Sequence, residues 1–226
     1  MITRATYGSF HQVGSLMQTA AARLQESQLD AMSLDRLARV SEHPADAAAA
    51  VELDAELATH QALIDRLQTT QSELVSADAA LGEAATLMSA ALEVAVAMAT
   101  ESYGDVDRTA AAEQIEGTIS DLASLANSSF GGVYLFAGNA LTTEPFDDTG
   151  VYQGSSTARE IPLLGDDTLT QGYTGDEIFN ATGVDPFVAL TELKDALDQN
   201  DAEAVGSALE SLNDAYDHLV NMRAGY

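Results

Sequence analysis

Cysteine and tryptophan are absent from the 226 residues, lysine occurs once, at Lys194, and none of the four prolines falls between Ala45 and Asn127. Without thiols there is no disulfide framework, which suits a secreted protein folding without bridges as well as a cytosolic one. The missing prolines leave a long stretch in which nothing interrupts a helix. Aromatic residues are missing from position 11 to position 102, so that stretch packs with aliphatic side chains alone. No basic segment followed by an apolar core opens the chain, and no apolar run approaches the roughly 18 residues of a membrane span. Basic residues are also scarce, nine against 36 acidic ones, for a formal charge of −27. Nucleic acid and anionic membrane surfaces are excluded as partners, because their phosphates would be repelled.

The charge is uneven. Residues 1–39 hold Arg4, Arg23, Arg36 and Arg39 against Glu26, Asp30 and Asp35, a net +1, which leaves −28 on the rest. That first segment reads as an amphipathic helix over residues 9–39 with a thin apolar stripe: Val13, Leu16, Met17, Ala20, Leu24, Met32, Leu34 and Leu37. The pattern breaks at Ser41-Glu42-His43-Pro44, where proline ends one helix and suits the first turn of the next. A second helix is expected from Pro44 to about Thr100. Leu53, His60, Leu67, Leu74, Leu81, Met88 and Ala95 lie seven apart in it, with Leu57, Ile64, Ala77, Ala84, Ala91 and Met98 close to a companion row. A seven-residue period sustained this far marks a supercoiled seam against other helices.

A turn at 101–107 leads to a third helix ending near Asn127, with Asp107 or Thr109 as its expected cap and Ile115, Ile119, Leu122 and Leu125 on one face. Composition then changes abruptly. Nine of the sixteen glycines and eight of the thirteen aromatics fall between Phe130 and Phe187, and 133–136, 150–154, 159–161 and 177–179 read as short strands between turns. The expectation is a compact β unit with its own aromatic core, including Tyr134, Phe136, Phe146, Tyr152 and Phe179. Asp185-Pro186 starts a further helix, and after Asn200-Asp201 a last one carries Val205, Leu209, Leu212, Tyr216, Leu219 and Met222.

Chemistry finds few candidates. His11, His43, His60 and His218 are far apart, no phosphate-binding glycine loop or nucleophile elbow occurs, and no catalytic, cofactor or metal site can be named. Asp147-Asp148, Asp166-Asp167 and Asp176-Glu177 are acidic doublets in turn-rich sequence, but none follows the twelve-residue calcium-loop spacing.

Leu125-Ala-Asn-Ser-Ser-Phe-Gly-Gly-Val-Tyr-Leu-Phe-Ala-Gly-Asn-Ala-Leu-Thr-Thr-Glu-Pro-Phe146, together with Gln71–Leu81 and Arg108–Ile115, resembles the FlgL family, the flagellin-related hook-filament junction proteins of bacterial flagella. The match at Leu34–Pro44 is looser, since the glycine and the two aspartates of the family's turn are missing there. The resemblance implies a mainly α protein with a small β domain (α+β): residues 1–43 a polymerisation helix, 44–130 and 184–226 a helical rod, and 131–183 a β domain inserted at the rod tip. It also implies a non-enzymatic subunit, exported unfolded by the flagellar type III route to the cell exterior. Its partners would be itself, a neighbouring hook-associated protein, flagellin, and an export chaperone acting through a C-terminal segment beyond Tyr226. Packing and assembly residues would be Val13, Leu16, Leu24, Leu67, Leu74, Leu81, Tyr134, Phe136 and Phe146. Residues 1–39 are expected to protrude, and Leu67, Leu74 and Leu81 to pack on the third and last helices. A filament flagellin, and a secreted calcium- or glycan-binding module on a helical stalk, are the other readings. Calorimetric titration with calcium separates the last: stoichiometric binding lost in Asp147→Ala or Asp166→Ala selects the module, and its absence leaves the structural readings.

Overall fold

The computed structural model describes residues 9–33, 44–147 and 149–226, and side chains of 9–13, 29–33, 44 and 46 lie outside what is described. Val13, Met32, Leu34, Leu37 and the break at residues 41–43 therefore fall outside the comparison, in side chain or entirely. The elements in chain order are α1 (Ser9–Ser33), α2 (Pro44–Met98), α3 (Asp105–Ala126), β1 (Ser129–Phe130), β2 (Val133–Tyr134), β3 (Arg159–Pro162), β4 (Thr168–Gln171), α4 (Gly175–Phe179), α5 (Pro186–Asp198) and α6 (Ala202–Arg223).

Helix α2 is the spine. Its seven-residue row is fully buried from Leu67 through Leu74, Leu81 and Met88 to Ala95, and different elements cover it at different heights. From Ala77 to Ala95 it packs with α3, α5 and α6 around Ile115, Leu122, Leu190, Leu197, Leu212 and Leu219. Each of these helices packs on its two neighbours in the ring α2, α3, α5, α6, and α2 and α5 also touch across it. Short turns join α2 to α3 and α5 to α6, so neighbours run antiparallel, the geometry of an up-and-down four-helix bundle. Lower down, Leu63, Ile64, Leu67 and Leu74 meet Ala20 of α1 and Ile161 and Leu169 of the β3–β4 hairpin, with Leu16, Met17 and Leu24 alongside.

Two expectations change here. Leu67 and Leu74 are buried, but against α1 and the hairpin; of the three leucines only Leu81 joins the α3/α6 core. Nor does α1 protrude. It lies along the N-terminal half of α2, because the α2 row continues below the bundle and would otherwise face water, and apolar area of that size favours burial.

Arg108 ties the turn end of the bundle together. It is 4% exposed, its Nε and Nη2 donate to the carbonyls of Met98 and Thr100 at 3.1 and 2.9 Å, and its Nη1 bonds the side chain of Asn200. The α2–α3 turn and the α5–α6 turn are thereby held side by side. Asn200 has φ 53°, a left-handed conformation that asparagine tolerates. The cap of α3 is Gly104, whose N–H is accepted by Asp107 at 3.2 Å; Asp107 serves from the first turn and is not itself the cap. Asp185 caps α5 ahead of Pro186, and Asp201 caps α6.

The β part is smaller than expected. β1 pairs with β2 and β3 with β4, both antiparallel, while Tyr152 makes only an isolated bridge to Phe146. Residues 177–179 are helical: Thr174 and Glu177 form a capping box that opens α4, a local signal that overrides the short apolar pattern. The aromatic residues form no separate core. Phe146 contacts Phe179 and Phe187 at ring-centroid distances of 5.5 and 5.6 Å, and Phe187 sits on α5, so the cluster is continuous with the bundle interior. The hairpin β3–β4 lies against residues 63–74 of α2, midway along the shaft and not at its tip.

One stretch of α2, within Ala47–Met98, reaches a mean hydropathy of 1.4 over 18 residues and is by length and composition apolar enough to cross a membrane. This corrects the expectation that no such run exists; alanine raises the mean where no bulky apolar run is visible. The same helix supplies Ala84, Met88, Ala91 and Ala95 to the bundle core, and 28% of the apolar stretch is buried within the protein.

Because the seam has two covers, truncation has two outcomes. Leu67→Ala and Leu81→Ala each cost about 2–5 kcal/mol in urea unfolding. Native-state hydrogen exchange separates them: Leu67→Ala speeds exchange in α1 and β3–β4 while α3 and α6 stay protected, and uniform acceleration would sink the division.

Candidate assembly surface along the shaft

The junction between the bundle and the lower shaft is built from polar side chains at named joints. Asn127, which ends α3, works as an extra strand rung: its Oδ1 accepts from the Phe146 N–H at 2.9 Å and its Nδ2 donates to the Phe146 carbonyl at 2.8 Å and to Glu144 at 3.1 Å. Those bonds pull the far end of the motif back onto the helix that precedes it. Gly138 makes the intervening loop possible. It has φ +59°, and a Cβ there would lie 2.1 Å from the Ser155 carbonyl oxygen, so no side chain fits. Tyr152 sends its hydroxyl toward the carbonyls of Phe136 and Ser155, and burial, with Asp176 and Glu177 nearby, pushes its phenol up to about 12.

The hairpin is latched to α2 through Glu73, which is 4% exposed. Its Oε2 accepts from Arg159 Nη1 at 2.9 Å and Gln171 Nε2 at 2.6 Å, and Arg66 Nη1 donates to the Pro162 carbonyl at 3.0 Å. Arg159 and Gln171 are cross-strand partners in β3–β4, so one carboxylate grips both strands. Beside this latch is a cavity of about 20 Å³ bordered by Tyr134, Gly138, Arg159, Gln171, Tyr173 and Tyr226. That is room for about one water molecule, far below the volume of a cofactor pocket. At the lower end of the bundle Arg223 Nε donates to Asp78 Oδ1 at 2.8 Å, an exposed pair.

Among the residues expected to carry packing and assembly, Leu67, Leu74, Leu81, Phe136 and Phe146 are fully buried. Tyr134 is half-buried at the cavity edge. Leu16 and Leu24 are half-buried on α1, and Val13 lies in α1 with its side chain outside the description. They do not converge on one site: the aromatics close the bundle, while Leu16 and Leu24 border the lower seam. Asn127, Glu73 and Arg108 are joints that sequence reading missed as such. Asn127 and Arg108 lay inside motifs noted as patterns, but nothing in the sequence paired either with Phe146 or Asn200. Among the described residues no group of three or more His, Cys, Asp or Glu is arranged to hold a metal ion. Asp147 spends its Oδ1 on the N–H groups of Thr149 and Val151 and on the Thr149 hydroxyl, folding its own turn.

The geometry is that of a built shaft with joints. A model of the bacterial flagellin N-terminal helical region matches residues 6–140, which spans α1, α2, α3 and the first hairpin. The chain belongs to the flagellin family. It is 32% identical over 149 residues to flagellar hook-associated protein 3 of Salmonella typhimurium, covering 65% of this chain and 47% of that protein. The chain thus spans about half the length of the curated relatives it matches. In fold it is similar to Xanthomonas campestris FlgL, with a TM-score of 0.67 at 18% identity over 76% of this chain and 90% of that one. It is also similar to Bacillus cereus FlgL, with a TM-score of 0.65 at 19% identity over 78% and 87%. The fold is that of a mainly α family member with a small β part.

Two outcomes test the joints. Glu73→Ala costs about 2 kcal/mol in denaturation, below the 3–5 kcal/mol of a fully buried pair because Arg159 keeps access to water, and detaches the hairpin first. Carboxyl NMR titration is expected to place Asp147 below the ordinary carboxylate range, chiefly because the Thr149 hydroxyl bonds its ionised form, and Asp185 above it, because burial outweighs its two capping N–H bonds. The sign follows. Asp147 contributes stability that is present above its unfolded value near pH 4 and lost as pH falls through its lower folded value. Equal values for the two groups would overturn both assignments.

Proposed function

We propose that this protein is a structural, non-enzymatic component of the bacterial flagellum at the junction of hook and filament, exported by the flagellar type III route and working outside the cell. Residues 1–43 act as the polymerisation segment, 44–130 and 184–226 as the rod and 131–183 as an insert lying along it. Its partners are further copies of itself, a neighbouring hook-associated protein and flagellin, with an export chaperone before assembly. The observation that carries this reading is the half-covered lower shaft. Leu16, Met17 and Leu24 of α1 and Leu53 and Leu57 of α2 keep part of their apolar surface exposed, although the row they continue is fully buried from Leu67 onward. Two helices cannot close such a seam, and a two-helix contact leaves apolar area that further helices would cover. Membership in the flagellin family fits both the junction and the filament readings, and the likeness to hook-associated protein 3 favours the junction.

The test is a strain lacking its junction protein, supplied with the full-length gene. Epitope labelling confined to the hook–filament boundary, with motility restored, is expected; labelling along the whole filament would select the flagellin reading instead. Leu16→Asp/Leu24→Asp abolishes assembly while the melting of the bundle is unchanged. Normal assembly of that variant would show that the lower seam is not the polymerising surface.

A further inference from the structure

We propose that the groove between the upper part of α2 and the start of α3 is a docking site for a basic amphipathic helix of another protein. This goes beyond the junction reading and does not depend on it. The groove, about 470 Å³, is lined by Ala90, Val94, Ala97 and Met98 of α2, Ala110 and Ala111 of α3, and Tyr103 of the turn. Tyr103 is 40% exposed, and Val106 beside it is 81% exposed. Alanine on both walls is the reason a groove exists: small side chains leave the space between two antiparallel helices unfilled and let a third backbone approach closely. Ala90 to Met98 spans about 12 Å of helix axis, matching roughly two turns of an inserted helix packed ridge into groove.

The occupant's charge follows from the rim. Glu93 and Asp107 line the groove, with Glu101 in the adjoining turn and Asp105 at the start of α3. No lysine or arginine lines it. Arg108, next in sequence to Asp107, is turned inward and spends its donors on Met98, Thr100 and Asn200. An apolar floor with an acidic rim fits a helix with apolar residues on one face and Lys or Arg flanking them. Among the described residues a second copy of this chain does not supply that face: on α1 the exposed Arg23 is offset by the exposed Glu26, and Lys194 and Arg223 of the bundle are paired with Asp198 and Asp78.

The probe is an 18-residue amphipathic Lys/Leu peptide, with a Glu/Leu peptide of the same pattern as control, followed by fluorescence anisotropy at about 0.3 M salt to screen the bulk charge. Glu93→Arg/Ala97→Arg is expected to weaken Lys/Leu binding at least tenfold. Glu210→Arg/Asp214→Asn, which changes the net charge equally on α6, is expected to alter it less than twofold. Tyr103→Ser, in an exposed turn, is expected to weaken binding about threefold and serves if the double variant does not fold. Equal losses in the groove and α6 variants, no loss in either groove variant, or equal binding of the Glu/Leu peptide would each overturn the proposal.

Discussion

Everything in this fold leans on one buried row along α2. A helix of 55 residues has little reason to stay straight and single in water, because isolated helices draw most of their stability from an apolar face that something covers. Here the face is continuous from Leu67 to Ala95, yet its covers change midway. Above, three antiparallel helices close it; below, a single helix and a two-stranded hairpin share it. The change coincides with the side chains. Alanine dominates the upper row and admits close helix packing, whereas Leu63, Ile64, Leu67 and Leu74 are bulkier and meet the aliphatic side of β3–β4.

Charge sets the second constraint. With 36 acidic residues against nine basic ones, most carboxylates cannot find a cation, and four of the described arginines are placed where chain segments must be held. Arg159 and Arg66 hold the hairpin, Arg223 holds the end of α6 to Asp78, and Arg108 holds both bundle turns. Among the described residues most of the other acids are exposed to solvent, where they cost little. Asp201 at the start of α6 accepts the N–H groups of Glu203 and Ala204 and is favourable there on its own.

Helix positions were legible because their signals are local: heptad spacing, the Asp185-Pro186 start, the Asn200-Asp201 turn. The start of α2 at Pro44 matched the structure, and the long seam did so from Leu67 to Ala95, whereas Leu53 and His60 at its lower end are only half-buried. The β region was less legible. Residues 177–179 carry a strand-like apolar pattern, but the Thr174–Glu177 capping box makes them helical. Likewise the aromatics of 130–187 suggested a core of their own, whereas Phe187 belongs to a helix that carries the cluster into the bundle.

The sequence alone determined what depends on spacing and composition: a long uninterrupted helix, an acidic surface hostile to polyanions, family membership through the stretch around Asn127 to Phe146, and the helical starts. Tertiary structure decided which partner each buried face meets. A seven-residue period says that a row is covered but carries no label for its cover, so Leu74 and Leu81, identical in pattern, ended in different clusters. The same holds for the polar joints. Glu73 lies 86 and 98 residues from Arg159 and Gln171, and contacts at that separation follow from where packed elements meet in space, which no local pattern encodes.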